Sequence, residues 1–198
     1  MNLPNKLTVS RIILTPLFMA VMLIDKIPYN YTVALILFII ASVTDFLDGK
    51  IARERKIVTV FGKFLDPVAD KMLTTAALLG FMIILPTAAL RIQMTVIAFI
   101  TLFREFAIAS VRLIAVSSKE KKVIPANIWG KLKTVSQMAS IILGLFAYSV
   151  MEFVTLAEPL FTVIIYAFTV LSWIAAFFGV MSGAVYIMES KELIDSSK

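Results

Sequence analysis

The 198 residues are 60% hydrophobic and only 16% charged, a balance outside what a water-soluble domain of ordinary proportions carries. Cysteine and histidine are both absent, which removes disulfides, thiolate metal sites and the commonest general base, and leaves acid–base and metal chemistry to carboxylates. The net charge of +6 does not point to nucleic acid, because the lysines and arginines lie between long apolar runs, as at the cytoplasmic face of a membrane.

The chain opens on MNLPNKLTVSRIILTP. Leu3, Leu7, Ile12 and Ile13 are set against Asn5, Lys6, Thr8 and Arg11, which predicts a short amphipathic helix at the headgroup level before the chain turns into the bilayer. The apolar run that follows is long and is not closed by a small-residue cleavage site, so the start does not read as a cleaved leader. Long apolar stretches recur at about residues 12–24, 32–46, 61–85, 95–116, 135–150 and 160–188. A helix needs roughly 20 apolar residues to cross the hydrocarbon, so these predict six spans, the first two borrowing flanking residues.

Turn-forming or polar residues separate the spans at 25–30, 49–56, 86–93, 117–130 and 152–159. Glu189, Lys191, Glu192 and Asp195 read as a solvated tail. With no linker, low-complexity tract or internal repeat, the expectation is a single domain over residues 1–198. It is an all-α integral membrane protein of six transmembrane helices, preceded by the short N-terminal amphipathic interfacial helix. In this layout Lys6, Arg11, Lys50, Arg53, Lys63, Lys131, Lys133 and Lys191 fall on one side, while Lys26 and Arg91 fall on the other. The positive-inside rule then places both termini and residues 45–70 on the cytoplasmic side of the cell membrane.

Residues 45–70 read DFLDGKIARERKIVTVFGKFLDPVAD and set four aspartates at a membrane edge, where each needs a partner or a purpose. Asp45 and Asp48 are three apart, and Asp66 and Asp70 four apart, so on helices each pair shares a face one turn apart. The chain reverses between them, and Gly49 and Gly62 flank the reversal, where small residues let helices approach closely. Four carboxylates brought together repel one another unless cations intervene. A hard divalent ion, Mg²⁺ or Mn²⁺, suits an all-oxygen site and is commonly shared with substrate phosphates.

Written as a pattern, the stretch is D-x-x-D-G-x-x-A-R, eight residues, then G-x-x-x-D-x-x-x-D. It resembles the signature of the CDP-alcohol phosphatidyltransferase family at Asp45, Asp48, Gly49, Ala52, Arg53, Gly62, Asp66 and Asp70. The resemblance implies that Asp45, Asp48, Asp66 and Asp70 hold two divalent cations that bind the diphosphate of a CDP-linked lipid. It implies that Gly49, Ala52 and Arg53 line the nucleotide side, within a CDP-lipid site that also takes in Gly62. It further implies that Asp70 is the general base for the acceptor hydroxyl, which attacks the β-phosphorus as CMP leaves. A homodimer is implied by the resemblance alone. Phosphoryl transfer asks a protein mainly for positioning and charge neutralisation, which agrees with these roles.

Arg104 and Arg112 lie eight apart inside the fourth span, on nearly the same helix face. Two arginines inside a membrane need anions. Glu105 neutralises at most one, and a phosphate ester suits the other because guanidinium grips phosphate in a bidentate fashion. Lys131 and Lys133 stand at the following boundary and can complete an anion pocket. These segments, with Asp66–Lys71 and the opening Asn2–Asn5, resemble the branch of that family whose acceptor is glycerol 3-phosphate and whose donor is CDP-diacylglycerol. Sibling enzymes with phosphatidylglycerol, serine or an inositol phosphate as acceptor are the nearest alternative. A membrane prenyltransferase predicts two separated aspartate-rich motifs, and a cation transporter predicts carboxylates at mid-membrane.

Overall fold

The computed structural model describes residues 3–54, 60–117, 127–154 and 158–195, and six α-helices account for nearly all of them, with no strand among the described residues. They are α1 (Leu3–Leu23), α2 (Asn30–Glu54), α3 (Val60–Ile84), α4 (Ala88–Ser117), α5 (Ile128–Phe153) and α6 (Glu158–Asp195). Cross-contacts fix their directions. Arg11 early in α1 pairs with Asp45 late in α2. Glu152 at the end of α5 accepts hydrogen bonds from the backbone amides of Tyr31 (2.8 Å) and Thr32 (3.0 Å), capping the start of α2. Tyr148 donates to the Ile84 carbonyl at 2.9 Å, where α3 and α5 both end. The helices therefore run up and down, and the two aspartate pairs belong to one end of the bundle.

Stretches long and apolar enough to cross a membrane lie in α1, α4, α5 and α6: Asn5–Leu23, Ala88–Val111, Ile128–Phe153 and Pro159–Ser190. In α2 and α3 the corresponding apolar parts, Asn30–Asp45 and Lys71–Ile84, are shorter among the described residues. Large apolar side chains point outward on every helix. On α4, Phe99, Phe103 and Phe106 recur at helical spacing and are each about two-thirds exposed, which suits lipid and not water.

The amphipathic opening and the first apolar stretch form one uninterrupted helix, α1, and not two. Its polar residues turn inward: Asn5, Thr8, Arg11 and Thr15 are buried, at spacings that keep them on one face against α2 and α3. Elsewhere the helices outrun the apolar stretches. α2 continues through Gly49 to Glu54 where a turn is expected from residue 49, because Ala, Arg and Glu propagate a helix more readily than one glycine interrupts it. α4 begins at Ala88, with Thr87 Oγ1 accepting from the Leu90 amide (3.3 Å), and α6 carries on to Asp195 through the expected tail.

The core is built on Phe18, Phe38, Phe81, Leu85, Met94, Ile141, Leu145 and Phe168, all fully buried. Phe81 of α3 and Phe168 of α6 meet at 4.5 Å between ring centroids, directly over Gly144 of α5. A Cβ at that glycine would stand 2.7 Å from Phe81 Cζ and 2.9 Å from Phe168 Cδ2, closer than side chains pack. Gly144→Ala is therefore expected to destabilise the bundle by about 1–3 kcal/mol, read as a lower unfolding temperature in detergent. An unchanged transition would show that the rings have room to move aside.

Candidate active site

Two groups of polar side chains occupy the same end of the bundle. The first is the carboxylate hairpin. Asp45 and Asp48 lie on the last turns of α2, and Asp66 and Asp70 on the first turns of α3, so both pairs have the helical register that puts them on one face. Asp45 is partly exposed and its Oδ1 is paired with Nη1 of the fully buried Arg11, which reaches it from α1. Because α1 packs against both α2 and α3, it braces the hairpin. The side chains of Asp48, Gly49, Ala52, Arg53, Gly62, Asp66 and Asp70 lie outside the described residues.

The second group is a basic cluster gathered from four helices around Glu105 of α4. Arg104 Nη1 donates to Glu105 Oε1 at 2.6 Å, and Lys133 Nζ of α5 donates to the same oxygen at 3.0 Å. Lys71 Nζ of α3 lies 3.5 Å from Oε2. Arg104 is held from its other side: Nη2 donates to Ser182 Oγ of α6 (2.8 Å), and that hydroxyl donates to Asn127 Oδ1 (2.9 Å). Asn127 caps α5, its Oδ1 accepting from the Gly130 amide at 2.8 Å. A side chain at Gly130 would meet Ser182 Oγ at 3.2 Å and Asn127 Oδ1 at 3.3 Å, so glycine is what lets this cap sit beside α6.

Among the described residues three cations share one carboxylate here, two positive charges in excess in a part-buried setting that suits an anion. Arg104 Nε is buried with no hydrogen-bond partner among the described residues, so one guanidinium donor is open to such an anion. The family model of the CDP-alcohol phosphatidyltransferases matches residues 1–181. The chain belongs to the CDP-alcohol phosphatidyltransferase family. A CDP-diacylglycerol--glycerol-3-phosphate 3-phosphatidyltransferase of Bacillus subtilis is 39% identical over 208 aligned positions, covering 99% of this chain and 98% of the relative. One of the same name from Haemophilus influenzae is 38% identical over 142 residues, 71% of this chain and 73% of the relative. A rice protein named cardiolipin synthase (CMP-forming) is 36% identical over 151 residues, 71% of this chain but 44% of its own length.

Members of the CDP-alcohol phosphatidyltransferase family generally depend on a divalent metal ion. The donor set here fits one: with no cysteine or histidine in the chain, the ligands available at the hairpin are carboxylates, which favour a hard cation over a soft one. Among the described residues no three such ligands come together, since Asp45 alone of the four aspartates has a described side chain.

Of the residues expected from sequence to bind an acceptor phosphate, Arg104 and Lys133 meet in the cluster. Lys131 is exposed on α5 and stands apart from them, two residues from Lys133 and so on another helix face. Arg112 continues α4 beyond the cluster, its side chain outside the described residues. Sequence reasoning did not assign Lys71, Asn127 or Ser182 to this site. Lys71 carried a signal, a cation directly after Asp70 inside an apolar helix. Ser182 and Asn127 carried none, being 55 residues apart in the chain.

Proposed function

We propose that this CDP-alcohol phosphatidyltransferase moves the phosphatidyl group of CDP-diacylglycerol onto glycerol 3-phosphate, giving phosphatidylglycerophosphate and CMP. The observation that carries this acceptor is the part-buried cluster in which Lys71 of α3, Arg104 of α4 and Lys133 of α5 share the single carboxylate of Glu105. The names of the bacterial relatives support the same donor and acceptor.

In this reading Asp45, Asp48, Asp66 and Asp70 are the residues that would hold two divalent cations, Mg²⁺ or Mn²⁺, which when bound supply charge neutralisation for the donor's diphosphate. Gly49 and Ala52 leave room for the cytidine, Gly62 belongs to the same CDP-lipid site, and Arg53 meets a phosphate. The cluster, with Arg112 from the next turns of α4, fixes the acceptor's phosphate. The acceptor hydroxyl is thereby presented to Asp70, which takes its proton as the oxygen attacks the β-phosphorus and CMP departs. Arg11 keeps Asp45 oriented from behind.

The remaining architecture follows the same reading. One domain of six helices spans the cell membrane, with the first turn of α1 at the headgroups. Both termini and the carboxylate end face the cytoplasm, where the basic residues concentrate and where a water-soluble acceptor meets a lipid headgroup. Purified protein given CDP-diacylglycerol, glycerol 3-phosphate and Mg²⁺ or Mn²⁺ is expected to release CMP and form phosphatidylglycerophosphate. CMP release with phosphatidylglycerol but not glycerol 3-phosphate would reassign the acceptor, and no release with either, or with serine or inositol phosphate, would overturn the enzyme reading.

A further inference from the structure

Glu105 occupies the cations that the acceptor's phosphate needs. It lies 2.6 Å from Arg104, 3.0 Å from Lys133 and 3.5 Å from Lys71, so carboxylate and phosphate compete for one set of donors. The chemistry makes that competition useful. A bond forms between the acceptor's hydroxyl oxygen and the phosphatidyl phosphorus, and the bond from that phosphorus to CMP breaks. The acceptor's own phosphomonoester is untouched and departs on the product. A pocket that gripped it unopposed would hold product as firmly as substrate.

The geometry points to Glu105 as an internal anion that fills the acceptor-phosphate site between turnovers and, by reclaiming Lys71, Arg104 and Lys133, promotes release of the product. This rests on glycerol 3-phosphate being the acceptor. The unpartnered Nε of Arg104 gives the incoming phosphate a foothold before Glu105 lets go. Lys71 has the longest of the three contacts and the most exposed side chain, so it is the cation first surrendered.

The carboxylate also has a polar group to turn to. One helical turn deeper Thr101, Gln137, Ser140 and Ser172 line a narrow seam with no room for a water molecule, so Gln137 itself, and not an open recess, is what a displaced Glu105 meets. Thr101 is four residues before Glu105 and Gln137 four after Lys133, so the seam adjoins the cluster. Gln137 is 3% exposed, and neither its amide nitrogen nor its amide oxygen has a partner among the described residues. A buried donor left open in this way is costly unless some state of the protein uses it. A displaced Glu105 uses it.

The test is the kinetics of the full-length protein in detergent–lipid micelles with Mg²⁺, following CMP. In Glu105→Gln, KM for glycerol 3-phosphate and kcat are each expected to fall at least about threefold, the second because product leaves slowly, while KM for CDP-diacylglycerol stays put. Gln137→Leu removes the receiving donor at similar volume. It is expected to raise KM for glycerol 3-phosphate when Glu105 is present and to leave it unchanged in the Glu105→Gln background. An unchanged or higher KM in Glu105→Gln, or a Gln137→Leu effect that persists there, overturns the inference, since a merely scaffolding Glu105 gives those results. Should Glu105→Gln not fold, Glu105→Asp, with its shorter reach, carries the same expectations at smaller size. Calorimetric binding of inorganic phosphate without CDP-lipid separates this inference from the acceptor assignment. Tighter binding by Glu105→Gln supports the internal anion even if glycerol 3-phosphate proves not to be the substrate, and equal or weaker binding defeats it.

Discussion

Asp70→Asn is expected to reduce CMP release by at least about 10³-fold while binding of CDP-diacylglycerol remains measurable and the unfolding temperature holds. Under the proposed function Asp70 has two tasks, ligand and base, and asparagine keeps its shape while losing both the charge and the ability to take a proton. In the chain Asp70 stands one residue before Lys71, the α3 member of the acceptor cluster. The comparison with Asp48→Asn separates the two tasks. A ligand alone responds to raised Mn²⁺ concentration, whereas a missing base does not. Full recovery of Asp70→Asn by added metal would remove Asp70 from the base role.

Arg11→Ala is expected to damage the fold and the activity together, the opposite signature to Asp70→Asn. Arg11 is fully buried and pairs with Asp45, joining α1 to the end of α2. Removing one partner of a buried ion pair costs about 3–5 kcal/mol, and the partial exposure of Asp45 argues for the lower end of that range. Arg11→Lys keeps the charge but loses the planar fork, and is expected to retain part of the stability. Denaturant titration in mild detergent measures both. In a cycle with Asp45→Asn the loss in the double variant is expected to be smaller than the sum of the two single losses, because both break one contact. Strict additivity would show that Arg11 acts elsewhere.

Arg11 also marks where sequence stops being legible. Six apolar runs separated by turn residues were enough for six helices, because hydrophobic length is a strong signal in a membrane. Which face of a helix packs inward is another matter. The polar stripe of Asn5, Thr8 and Arg11 reads equally well as a surface for headgroups or as an internal seam, and only the placement of α2 and α3 decides for the seam. Helix ends were blurred for a related reason. Once α2 and α6 leave the apolar layer, good helix formers carry them further at little cost, so the apolar boundary and the helix boundary separate. In the acceptor cluster Arg104 and Lys133 announced themselves as charges in apolar company. Glu105 was expected to satisfy at most one of the two arginines, and among the described residues it pairs with Arg104; that it also gathers Lys71 and Lys133 from two other helices depends on distances no spacing rule encodes.

The cap that Glu152 places on α2 reaches across 121 residues from the amide of Tyr31 and 120 from that of Thr32. A chain made from its N-terminus onward cannot complete that joint early. Ribosomes add roughly 5–20 residues per second, so the first turn of α2 waits on the order of ten seconds for its acceptor. During that interval the α1–α2 hairpin is already made, but its amides must rely on water or lipid headgroups. The fifth helix is thus the keystone of assembly: its arrival satisfies the start of α2 and, at its other end, delivers Lys133 to Glu105. Truncation before residue 152 is expected to leave a hairpin that inserts without settling, even though both members of the Arg11–Asp45 pair have been synthesised.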